Sequence, residues 1–140
     1  MRHHDEINGR LFEATTLGRC AAICNGYTPW REAVELVRKH QPREKRPAAV
    51  RLEQEVARYF GKLGMSVKFY TAVHSAMDFY HGVDAFFEFR GVLVTIDVTI
   101  NPNKNSGKAD VIVQADDFEN LPALAGRIAR EFASKIKRHH

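Results

Sequence analysis

Two aspartates fall where strand-forming sequence does not favour them. Asp84 opens the stretch "VDAFFEFRG" and Asp97 interrupts "VLVTIDVTI", both runs rich in β-branched and aromatic residues, in which Asp is depleted. Burying a carboxylate in such a strand is costly unless something pairs with it. Two carboxylates brought side by side repel each other and need a proton, a base or a cation between them. A hard divalent ion such as magnesium meets that need with one or two protein carboxylates and several waters. Such an ion polarises a phosphodiester and acidifies the attacking water, so the chemistry suggested here is metal-assisted phosphoryl hydrolysis.

Strand alternation is what brings the pair together. In the later strand Val94, Ile96, Val98 and Ile100 point to one face, and Thr95, Asp97, Thr99 and Asn101 to the other. Asp84, Phe86 and Glu88 share a face of the preceding strand, and the tight "FRGV" connection pairs the two, bringing Asp84 near the Asp97 side. Further strands are predicted over 66–73 and 109–115, with "HSAMDFYHG" as the loop that enters the Asp84 strand. Before this strand-rich middle the hydrophobic period is helical, over 7–24, over 28–40 with Thr28 as N-cap and Pro29 at the first helical position, and over 48–64. In the third helix Leu52, Val56, Tyr59, Phe60 and Leu63 form the stripe and Gly64 the stop. A closing helix within 116–137 carries Leu121, Leu124, Ile128, Phe132 and Ile136 at helical spacing. The expected architecture is α/β, a central mixed β-sheet flanked by helices, with a helical extension over 1–46 and a core over 47–140 in one compact domain.

Composition narrows the setting. The chain has 140 residues, 44% hydrophobic and 27% charged, enough to bury a real core. No apolar run has the length of a bilayer span and "MRHHDEINGR" lacks the hydrophobic segment of a secretory signal, so a cytoplasmic location is expected. A formal charge of +4 gathers partly in "RKHQPREKR", with Arg43, Lys45 and Arg46, and in "KIKRHH". Such clusters either contact phosphates or form solvated surface. Cys20 and Cys24, four apart, read as buried small hydrophobes rather than a metal pair or redox switch. His3, His4, His139 and His140 lie at the chain ends, where no metal site is expected.

A helix bearing a glutamate, a strand, "GVD" opening a second strand and "IDVT" inside a third is similar to the PD-(D/E)XK nuclease superfamily, over residues 48 to about 115. In that superfamily an aspartate early in one hairpin strand is followed, in the next, by an acidic residue, any residue and lysine. Asp84 matches the first acid, with Val83 in place of proline, and Asp97 matches the second. The resemblance implies a restriction-endonuclease-like fold and a nuclease acting on nucleic acid, with DNA the expected polymer, and it admits a homodimer. It implies Mg (or Mn) held by Asp84 and Asp97, with Glu55 of the core helix as an optional third acid. Thr99 stands where the motif has lysine, so the amine is sought in Lys104 or Lys108 of the following loop "NPNKNSGK". Those two lysines, Arg43, Lys45, Arg46 and His81 are the candidate nucleic-acid contacts. The superfamily also has a helix between its third and fourth strands, for which "NPNKNSGKAD" is too short. Glu55 as a solvated helix residue and His81 as a packing residue are the plain alternatives. Thr99 also leaves open a second function, a nuclease-fold module that binds nucleic acid or a protein without cutting.

Overall fold

Among the described residues, alternating side chains in the middle of the chain produce four strands: β1 (Lys68–Thr71), β2 (Ala85–Phe89), β3 (Val92–Thr99) and β4 (Val111–Gln114). Strands β2 and β3 join through Arg90 and Gly91, at φ 49 and 84. Both turn residues are therefore left-handed, as two-residue hairpins require, and the turn fixes Phe89 opposite Val92. Strand β1 pairs antiparallel to β2, and β4 runs parallel to β3, giving a mixed sheet in the order β1-β2-β3-β4. A computed structural model describes residues 2–104 and 107–138, with side chains from residue 9 onward. The side chains of His3 and His4, and all of His139 and His140, lie outside the described residues.

Helices cover both faces of the sheet. Helices α3 (Pro47–Arg58) and α5 (Leu121–Arg138) pack on the face of Val94, Ile96 and Val98, where Leu52, Val56, Leu124, Ile128 and Phe132 are buried. Each such side chain contributes about 1.5–3 kcal/mol of burial free energy. The opposite face, expected to be polar, is partly apolar: α2 (Trp30–Lys39) and α4 (Ala76–His81) bring Val34, Val37 and Met77 against fully buried Phe86. Arg38 clamps α2 to the sheet through two bonds to Glu88, at 2.9 and 2.7 Å. Helix α1 (Arg2–Leu17) contributes Leu17 to the first core, with Phe12 and Ala14 packed against it.

Several boundaries differ from the sequence pattern. Helix α1 stops at Leu17 because Gly18 turns left-handed, at φ 88. The chain beyond is tied elsewhere, with the Cys20 N–H donating to Val73 O at 3.0 Å and that of Ala21 to His40 O at 2.7 Å. Cys20 and Cys24 therefore do not share a helical face; both are free, and Cys20 is buried. Pro29 itself caps α2, while the Thr28 hydroxyl turns to Gly26 O at 3.3 Å. Helix α3 ends at Arg58, before a 3₁₀ turn over Gly61–Ser66. Gly64 sits within that turn, where a Cβ would fall 2.6 Å from Ala57 O. Helix α4 occupies what the pattern gave as a loop.

The sheet edges are closed by side chains. On β1, the Gln41 amide both accepts from Thr71 N and donates to Thr71 O, each at 3.0 Å, and Glu53 accepts from Phe69 N at 2.7 Å. Where β3 runs beyond β4, Asp110 accepts from Thr95 N at 2.9 Å and Lys135 donates to Leu93 O at 2.7 Å. On β4, Asp117 accepts from Gln114 N and Arg127 donates to Ile112 O, both at 2.7 Å. Unpaired strand edges template further pairing, and these side chains occupy the positions a neighbouring strand would take. Among the described residues no helix is long and apolar enough to cross a membrane.

Candidate functional site

An open pocket of about 860 Å³ lies where β2 begins and β3 ends, lined by Glu13, Asp78, Asp84, Asp97, Thr99 and Lys104 among others. Asp84 is its deepest acid, only 2% exposed. Its backbone extends the ladder on both sides, donating to Ile96 O at 2.8 Å and accepting from Ala72 N at 2.7 Å. The β2–β3 pairing ends at Ala85 and Ile96, and Asp84 stands just before it, bonded to the same Ile96, in the pocket that Asp97 also lines. The Asp84 carboxyl accepts from Val98 N at 2.8 Å, and Asp97 lines the same pocket beside it.

Electrostatics follow from this crowding. Burial, then the charges of Glu13 and Asp78, push the Asp84 carboxyl up to about 10, against the smaller opposing effect of the Val98 N–H. Burial and then Asp78 push Glu13 up to about 8, with Arg10 pulling the other way. Glu13, Asp78 and Asp84 each offer an oxygen, all within 4.8 Å of one another, and this cluster can hold a metal ion. Three hard oxygen donors with excess negative charge suit a hard divalent cation.

Lys104 enters from the loop after β3. Its ammonium lies 2.6 Å from Asp97 Oδ2. The loop is folded back by its own polar side chains: Thr99 Oγ1 accepts from Asn101 N, and Asn101 Oδ1 from Asn103 N, each at 3.0 Å. Such side-chain turns compete well against regular structure. Gln114 anchors the end of the loop by donating to Lys104 O at 2.8 Å. Thr99 therefore builds the turn that returns a lysine to the acid pair.

No protein-family model, curated protein or solved structure matches the chain. The site accordingly rests on its own geometry.

Of the residues singled out from sequence, Asp84, Asp97 and Lys104 meet in this pocket. Glu55 does not line it and pairs with Arg58 on the same helix at 3.2 Å; the oxygen trio joins Glu13 and Asp78 to Asp84, while Asp97, expected as a metal ligand, is outside it and bonds Lys104. Lys108 lays its aliphatic stem over Gly82, where an added Cβ would lie 3.8 Å from the lysine Cβ and Cδ. His81 donates from Nε2 to Thr28 O at 2.7 Å and packs edge-on against Trp30, so it serves as a packing residue beside α2. Arg43, Lys45 and Arg46 lie between α2 and α3, exposed and away from the pocket lining, with Lys45 3.5 Å from Glu53.

Glu13 and Asp78 were not singled out from sequence, although both left signals. Gly9, Glu13 and Leu17 lie four apart on α1, so the acid sits on the stripe that ends in buried Leu17. Ser75 and Asp78 stand in the S-x-x-D spacing of a helix start, with left-handed Gly82 as its stop. In α4 the Asp78 carboxylate accepts from His74 N at 2.8 Å, just before the helix.

Proposed function

We propose that the chain is a divalent-metal-dependent nuclease built on the plan of the PD-(D/E)XK superfamily, with Mg (or Mn) as its ion and DNA as its expected substrate. The observation that carries this reading is the meeting of Asp84 and Asp97 in one pocket, with the Lys104 ammonium 2.6 Å from Asp97. Two acids on a hairpin and an amine from the loop beyond are the groups that hydrolysis of a phosphodiester needs. The oxygen trio of Glu13, Asp78 and Asp84 adds support, because a cation relieves the repulsion that otherwise holds protons there.

A bound divalent ion supplies Lewis-acid polarisation of the phosphodiester and acidifies the attacking water. Glu13, Asp78 and Asp84 would hold it, and Asp97 holds the Lys104 ammonium at the pocket wall. Water attacks phosphorus and gives its proton to a carboxylate of the cluster. The P–O bond to the leaving sugar oxygen breaks, and that oxygen takes a proton from solvent. Lys104 offsets the negative charge that builds on the phosphoryl oxygens. The superfamily's helix after the third strand has no counterpart among the described residues of the β3–β4 loop; here that connection delivers the lysine.

The test is calorimetric titration of magnesium and manganese, paired with cleavage of single- and double-stranded DNA and RNA. Wild type should bind the ion and cut, and Asp84→Asn and Asp97→Asn should abolish cutting while the fold persists. A protein that binds the ion yet leaves every substrate intact would instead be the non-cutting module. Cleavage that survives Asp84→Asn would overturn both the site and the reading.

A further inference from the structure

We infer that the aromatic side of α4 is a stacking platform that leads single-stranded nucleic acid into the acid pocket, an inference that rests on the nuclease reading above. Phe79 follows Asp78 directly, so one helix step separates a pocket acid from an aromatic ring that is 48% exposed. The next residue, Tyr80, forms an edge-to-face pair with Tyr27, the two 41% and 68% exposed and their centroids 5.6 Å apart. Arg10, which lines the acid pocket, lays its guanidinium 5.2 Å above the Phe79 ring. The ring therefore borders the pocket on one side. On its other side lies a crevice of about 530 Å³, lined by Arg19, His74 and the 20–24 segment.

His74 supplies a second, independent sign. It is a non-glycine residue at φ 71, and its ring lies nearly parallel to Phe79, at 15° and 6.2 Å between centroids. Left-handed backbone outside glycine costs free energy and clusters at functional sites. The Asp78 carboxylate fixes this conformation through the His74 N–H, so the same acid orders both the ring pair and the oxygen trio.

The occupant follows from the chemistry. Exposed aromatic rings framed by Arg10 and Arg19 match a polymer with flat π-faces and negative linkages. A duplex hides its base faces in the stack, whereas a single strand offers each of them. An aliphatic protein segment would seek a continuous apolar groove, and here guanidiniums interrupt the surface.

The test measures binding of fluorescently labelled oligo-dT, oligo-rU and a blunt duplex of equal length to the full chain in calcium, by anisotropy. Wild type should bind at least one of the single strands roughly 10-fold or more tighter than the duplex, and the dT and rU arms distinguish DNA from RNA. Phe79→Ala and Tyr80→Ala should each weaken single-strand binding by roughly 10-fold while Phe79→Tyr retains it, with duplex binding unchanged. Both positions are exposed, so thermal midpoints should hold. Equal affinity for duplex and single strands, or alanine variants that bind like wild type, would overturn the platform. Binding to neither polymer would also overturn it and reassign the surface to a protein partner. Stacking-dependent binding without cleavage in magnesium would sink the nuclease reading alone, and cleavage without single-strand preference would sink the platform alone.

Discussion

Replacing Asp84 by Asn should make the metal-free protein more stable as pH rises, relative to wild type. In the unfolded chain Asp84 ionises near its ordinary value of 3.8, whereas in the fold its carboxyl is pushed up to about 10. Between these values folding takes up a proton. A folded pKa raised in this way gives stability that is fully present below the unfolded value and is lost as pH rises toward the folded one. The loss amounts to about 1.4 kcal/mol per pH unit for each proton taken up, or about 2.7 kcal/mol from Asp84 between pH 6 and 8. Asn keeps a carbonyl oxygen to accept from Val98 N, a bond of 2.8 Å in the wild type, and has no charge to suppress. Its stability curve should be flatter by that same slope, with the residual fall assigned to Glu13, pushed up to about 8. Urea unfolding followed by circular dichroism in EDTA at pH 6, 7 and 8 measures both slopes. Magnesium should restore the wild type at pH 8 and do little for the variant. Parallel curves for the two proteins would show that Asp84 folds as an ion, and the electrostatic account of the pocket would be wrong.

Metal uptake should release protons between pH 6 and 8, because the ion replaces those held by Asp84 and Glu13; calorimetry in buffers of different ionisation heat counts them, and a count of zero contradicts the cluster. Lys104→Met should remove cleavage while leaving the ion's affinity within a few-fold. Adding Thr99→Lys in that background should return part of the rate, and an inert double variant would argue against equivalence of the two positions. Substituting Arg43, Lys45 and Arg46 with alanine should weaken nucleic-acid binding and flatten its salt dependence, by up to about 0.9 in slope for each duplex phosphate no longer neutralised. An unchanged slope would make this segment solvated surface.

The parts of this molecule legible in its sequence are those governed by short-range periodicity. Alternation in "VLVTIDVTI" and the two-residue Arg90–Gly91 turn sufficed to set Asp84 and Asp97 on one face, because hairpin register follows from the turn. The third acid was beyond that logic. Glu55 sits on a helix of the expected core, but which helix approaches the end of the sheet is a tertiary outcome, and α1 does so with Glu13. Helix α4 was hidden because six residues carry too little period to distinguish a helical turn from a loop. Lys104 and Lys108 were equivalent in sequence; the turns at Thr99 and Asn101 separate them, and those depend on local side-chain bonds rather than hydrophobic pattern.

The side chains that close the sheet edges are not made at the same time. Gln41 and Glu53 precede β1 in the chain, so its edge can be covered as soon as it forms. Arg127 and Lys135, which cover β4 and the overhang of β3, belong to α5, the last helix. During synthesis the first flank of the hairpin is guarded early, whereas the second has only β4, Asp110 and Asp117 until α5 leaves the ribosome and completes its cover. That interval is when "VLVTI" is most able to pair with the wrong chain. A nascent chain stalled before residue 127 should be a client of chaperones that shield strand edges, while the finished chain should not.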